Sequence, residues 1–198
     1  MTMNIAQRLP VQNLPIQPGA IALMLLMAAT RSSHIGTPFQ LPDASLAVFF
    51  LAGLWFGGNR FFAVLLAEAA LIDFVVIQFF GVSSFCVSPA YAFLIPTYAA
   101  VWFGGKMCAQ FKESNPSVLL KQFAILLAAT TLAFLISEFS FYLLSGRHDA
   151  LDWSEKLSKM ANFYPAYIKS TLIYATAIFG VVALLKSLPV FSEDHKGA

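Results

Sequence analysis

Charge is the scarcest property of this chain. Only 11% of its 198 residues are Asp, Glu, Lys or Arg, where a soluble domain carries about 25%. That is too little to cover a water-exposed surface. With 59% hydrophobic residues and a mean hydropathy of +0.73, the composition excludes an ordinary soluble domain. It points to a chain that crosses a lipid bilayer several times. The 20 Phe residues suit a lipid-facing surface. A formal net charge of +2 implies no nucleic-acid partner.

Cysteine is nearly absent. Cys86 and Cys108 cannot build a disulfide framework. They form no CxxC pair, and the topology below separates them by the membrane, which argues against a quinone-linked disulfide oxidase. There is no P-loop, so the chain does not hydrolyse ATP itself. No pair of intramembrane histidines suggests haem. Neither GxSxG nor HExxH occurs, so an intramembrane hydrolase is poorly supported.

What remains is a series of apolar segments between short polar stretches. Residues 1–17 are polar and Pro-rich. The first span runs from Pro18 to Thr30. It lacks a small-residue cleavage site followed by a soluble domain, so it reads as a span rather than a signal. Arg31 at its end reaches out to the interface. Asp43 or Ser45 caps the second span, which runs to Phe56. The third is Phe61 to Phe80 and the fourth Pro89 to Phe103, with Ser88 as its N-cap and Pro89 at the first helical position. Pro96 inside it should free the carbonyl of Ala92 and kink the helix. The fifth span is Val118 to Leu144 and the sixth Tyr167 to Leu185. Between these two, segment 147–164 reads as an amphipathic helix on the membrane surface or over a pocket mouth. Asp152 and Glu155 have capping-box spacing, and Ala150, Trp153, Leu157, Met160 and Tyr164 recur at three- and four-residue steps. Residues 188–198 are a polar tail. The expected fold is all-α and polytopic: one six-helix transmembrane domain over 18–187.

A tetrapeptide occurs twice. Trp55-Phe56-Gly57-Gly58 and Trp102-Phe103-Gly104-Gly105 both read as span ends, each with an interfacial Trp and a Gly pair at the helix C-terminus. Six spans put both termini on one side. Seven cations lie there (Arg8, Arg60, Lys106, Lys112, Lys121, Lys186, Lys196) against five opposite (Arg31, Arg147, Lys156, Lys159, Lys169). The positive-inside rule then places both termini in the cytoplasm. Cys86, His34 and the segment around Trp153 share the outer side, while Cys108 faces the cytoplasm.

Few residues in such a frame can carry chemistry. Cys86 sits just before the fourth helix. A helix N-terminus lowers a thiol pKa, and a thiolate is a soft ligand for a transition metal. A buried, inert filler is the equally weighted reading from position alone. Asp73 lies seven residues from the outer end of the third span. A carboxylate at that depth costs about 2.5–3.5 kcal/mol on insertion scales, so it needs a polar cavity or a partner. Glu68, five residues earlier, falls on another face and stays unassigned. Glu138 and Lys169 have the placement of a packing pair. Tyr91 and Tyr98, seven apart, share a face, and Tyr91 lines the same mouth as Cys86. His34, in the first outer loop, has an imidazole that could bind a metal or contact a ligand, although most loop histidines do neither.

A six-helix chain of this length with one outer-side cysteine before its fourth helix resembles the BtuM family. Those small cobalamin transporters are related to the substrate-binding S-components of energy-coupling-factor transporters. The resemblance covers roughly Pro18 to Lys186. It is carried by Cys86 within SSFCVSPAY, Tyr91 in the same motif, Asp73 in ALIDF and His34 in SSHIG. It implies an inner-membrane importer that binds vitamin B12 on its outer side. Cys86 would ligate the cobalt in place of the dimethylbenzimidazole base, and for cyanocobalamin this promotes loss of the opposite cyanide. Asp73, Tyr91 and His34 would be cobalamin-contacting groups, and Cys86 the reactive one. The first helix departs from the S-component pattern: Ala20, Ala22, Ala28 and Ala29 include no pair four apart. Docking to a shared energising module is therefore not implied, and the protein is expected to act alone.

Overall fold

The structure, a computed structural model, describes residues 17–31, 41–111 and 115–187. Among them all regular structure is helical and there is no strand. Six α-helices follow one another: α1 (Pro18–Arg31), α2 (Ser45–Trp55), α3 (Asn59–Phe80), α4 (Leu94–Cys108), α5 (Pro116–Leu144) and α6 (Trp153–Ser187). Two 3-10 turns, Ser84–Cys86 and Pro89–Phe93, lie between α3 and α4. Three helices, α3, α5 and α6, are long and apolar enough to cross a membrane. α1 and α2 are apolar but shorter, at 14 and 11 residues.

α2 is the centre of the molecule. Every residue from Ser45 to Gly53 is buried, as a helix apolar on all sides must be. Asp43 Oδ1 accepts the amide of Ser45 (2.9 Å) and its hydroxyl (2.6 Å) at the start. Gly57 ends it: at φ +61 its amide returns to the Ala52 carbonyl (3.1 Å), a turn that favours glycine. α4 crosses α2 through glycines. A Cβ on Gly53 would overlap the Trp102 carbonyl, and one on Gly105 the Phe50 carbonyl and Leu54 amide. Missing side chains let the two backbones approach. Around the crossing, Phe49 stacks on Tyr98 (4.2 Å, 7°) and Phe62 meets Trp102 edge-on (5.2 Å).

This crossing corrects two expectations. α4 does not stop at Phe103 but continues through Gly104 and Gly105 to Cys108. Trp102 is no interfacial residue: it is 2% exposed, in the main core. The Gly pair is helix surface for packing, not a cap.

α6 is a single helix of 35 residues, where a surface helix and a separate span were expected. Pro165 lies inside it and leaves the Ala161 carbonyl without its usual amide partner. The helix continues because α5 holds both sides of the proline. Phe134 packs edge-on against Tyr164 and Tyr167, each at 5.1 Å, and Tyr164 hydrogen-bonds Thr131 (2.9 Å). The expected stripe divides: Met160 is buried on α5, whereas Trp153 and Leu157 stay about half exposed. The capping box is present. Asp152 Oδ1 accepts the Glu155 amide (2.8 Å) and Glu155 Oε2 the Asp152 amide (3.1 Å). No ion pair joins Glu138 to the exposed Lys169 among the described residues.

Candidate functional site

The polar groups of the bundle gather at one end, where α1 and α3 finish and α2 and α4 begin. Asp73 faces Arg31 across the α1–α3 contact. The guanidinium grips it with two parallel bonds, Nε to Oδ1 (2.7 Å) and a terminal nitrogen to Oδ2 (2.6 Å). The other terminal nitrogen donates to the Tyr98 hydroxyl (2.5 Å) and to Ser45 Oγ (3.1 Å), with Asp43 at 3.9 Å. Tyr91 donates to Asp73 Oδ2 at 2.7 Å.

Arg31 therefore does not reach out to the interface. It is 9% exposed and turned inward, because Asp73 offers a bidentate, charge-assisted partner and the hydroxyls of Ser45 and Tyr98 take its remaining donors. Buried opposite charges in this geometry satisfy each other, where either alone would be costly. Asp73 has the partner that its depth required, and Tyr91 and Tyr98 converge on one network as their spacing predicts. Tyr98 is 4% exposed and belongs to the interior, not to the mouth.

Beside this network is a cleft of about 250 Å³ between α3 and the α3–α4 connection. Asp73, Ile77 and Gln78 line it from α3, and Ser84, Val87 and Tyr91 from the connection. The connection leaves α3 at Gly81, whose φ of +69 lets the Val82 amide bond back to the Val76 carbonyl (3.2 Å). Ser83 Oγ then accepts the Phe85 amide (3.2 Å), opening the turn Ser84–Cys86. Phe85 is held from the far side. Its ring lies 5.7 Å from Phe141 and 6.4 Å from His148, with the Arg147 guanidinium 4.9 Å over it. The backbone of Cys86 thus sits between two cleft-lining residues; its side chain, like all of His34, lies outside what the structure describes.

The start of the fourth span differs from expectation. Ser88 takes the N-cap position of a 3-10 turn, not of an α-helix, and its buried hydroxyl has no hydrogen-bond partner. α-Geometry begins only at Leu94. Pro96 explains this: in an α-helix its ring would strike the Ala92 carbonyl. The chain avoids the clash by winding tighter over Pro89–Phe93, with no kink inside a longer α-helix. The α-helical dipole expected to act on Cys86 accordingly starts eight residues after it.

Cys108 is buried where α4 meets α5, its thiol 3.8 Å from the Gln122 carbonyl. Glu68 has a buried carboxylate oxygen with no hydrogen-bond partner. No three His, Cys, Asp or Glu side chains cluster as a metal site among the described residues. The sequence reading missed Arg31 as a site residue. Its signal was present: Arg31 is the lone charge of α1, and Asp73 lies toward the same end of α3, which runs in the same direction. The chain matches no protein-family model and no curated protein. Fold and site define a class only: an all-helical protein with three helices long and apolar enough to cross a membrane, a partly buried ionic network at one end and a small cleft beside it.

Proposed function

We propose that this protein is a six-span carrier of the bacterial inner membrane, with both termini in the cytoplasm, that takes up cobalamin in the manner of the BtuM family. The observation that carries this reading is the cleft: its walls include Asp73 and Tyr91, and its lining residues Ser84 and Val87 bracket Cys86. α1, α2 and α4 supply the remaining spans. Pro89 to Cys108 is helical without a break and about 32 Å long. α2 reaches only about 16 Å, but it is enclosed by other helices and need not match the bilayer.

Cobalamin is the cargo. Cys86 ligates its cobalt as a soft thiolate in place of the dimethylbenzimidazole nitrogen. Cyanide on the opposite face then leaves with its bonding pair and takes a proton from water, so the cobalt keeps its oxidation state. Asp73 and Tyr91 contact the corrin periphery, and His34 approaches from the first loop. A volume of about 250 Å³ lies below the roughly 300–1,000 Å³ of sites for drug-sized ligands. Loading a corrinoid therefore moves the Cys86 turn away from α3. No P-loop is present, and the protein acts without a coupling module.

The test is the visible spectrum of the protein purified with cyanocobalamin. The wild type carries a shifted cobalamin spectrum that Cys86→Ala loses. Identical spectra for the two would refute cobalt ligation. The small cleft favours a second reading: an S-component-like binder of a smaller vitamin, with Cys86 structural. Thermal stabilisation by such a vitamin, and none by any corrinoid, selects it.

A further inference from the structure

Arg31 lines no part of the cleft, yet it holds the cleft's carboxylate. It occupies both oxygens of Asp73, at 2.7 and 2.6 Å. Oδ2 accepts Tyr91 (2.7 Å) while already bonded to Arg31. On the other side Ser45 and Tyr98 fix the guanidinium to α2 and α4, so its plane is set by the core. Tyr91 is in turn tied to the Cys86 turn: its amide donates to the Ser88 carbonyl (2.8 Å), and the Val87 amide to the Ser84 carbonyl (2.9 Å). The chain of contacts runs from α1 through Asp73 and Tyr91 to the backbone beside Cys86. Arg31 and Asp73 are its ionic members.

We propose that Arg31 is the positioning residue of the cleft: its fixed fork orients Asp73 as the acceptor that pins Tyr91, and with it the Cys86 turn, against α3. A plain α1–α3 tie would stabilise the bundle without governing the turn. Lysine in its place keeps the charge but reaches one oxygen at a time, so Asp73 would turn and the tyrosine bond would weaken. The inference rests on the reading of the cleft as the ligand site. The experiment needs no ligand, so failure of cobalamin binding and failure of this inference show up separately.

Cys108→Ser leaves Cys86 as the sole thiol of the full-length protein, and its maleimide alkylation rate in detergent reports on the turn. Arg31→Lys and Tyr91→Phe should each raise that rate about three- to tenfold, below the roughly ten- to hundredfold that full release of a charge-assisted hydrogen bond would give. The rise stays moderate because Phe85 still anchors the turn. Thr131→Val, which removes the helix–helix bond to Tyr164 away from the cleft, should leave the rate unchanged. If Arg31→Lys does not yield a monodisperse protein, the neutral pair Arg31→Gln with Asp73→Asn replaces it, with the same rise expected. A rise for Tyr91→Phe with none for either Arg31 variant overturns the inference, as does no rise for any. An equal rise for Thr131→Val also overturns it, because that would be general loosening.

Discussion

The same four residues, Trp-Phe-Gly-Gly, occur at 55–58 and at 102–105, and they do opposite things. The first set ends a helix: Gly57 bends back at φ +61, and Gly58 opens α3 in extended geometry. The second continues a helix and builds its closest contact, with Gly105 against the backbone of α2 and Gly104 against Ala129 of α5. Trp55 is half-buried near Phe179 of α6, whereas Trp102 is interior. A glycine pair offers two separate freedoms, positive φ and close approach. Nothing within the tetrapeptide chooses between them.

Alanine substitution separates the four glycines, and unfolding in detergent, followed by circular dichroism, ranks them. Gly105→Ala should be the worst. Its Cβ meets backbone atoms of α2 that no rotamer change can move, so α2 and α4 must separate, at a cost of about 3 kcal/mol or more. Gly104→Ala is milder. Its Cβ lies 2.7 Å from the Ala129 Cβ, and a small shift of α5 relieves it for about 1–3 kcal/mol. Gly57→Ala meets only the Gly53 carbonyl at 3.7 Å and pays about 1–2 kcal/mol for its left-handed backbone. Gly58→Ala should be the mildest, close to neutral. With φ −83 and its nearest neighbour at 3.9 Å, the gain of about 0.4–1 kcal/mol through the unfolded chain is offset by the loss of glycine at the N-cap of α3, where alanine is disfavoured. Equal losses at Gly57 and Gly105 would erase the distinction between the two tetrapeptides.

Most helix positions were legible because their signals are local. The capping box at Asp152 and Glu155 and the end of α3 at Phe80 depend on residues within one turn. The break before the fourth span was also legible, down to Pro89. Its geometry was not: Pro96 forces the tighter winding from inside the next helix, and a short-range pattern reads that as a kink. The candidate site was legible in part. The depth of Asp73 demanded a partner, and the spacing of Tyr91 and Tyr98 put them on one side. That partner was Arg31, 42 residues away, and a cation at a span end reads by itself as an interfacial residue.

Composition and periodicity alone determined that this is an all-helical chain with segments long and apolar enough to cross a membrane, because scarce charge and long apolar runs act residue by residue. They also marked the polar connection around Cys86 as the interruption between two apolar spans. Only the tertiary structure decided which glycine pair caps and which packs, that α6 runs through Pro165, and that Arg31 turns inward. Each of those outcomes depends on a partner on another helix. Close backbone approach, aromatic support across a proline and a buried ion pair are gained only when that partner arrives, and no window along the chain contains both members.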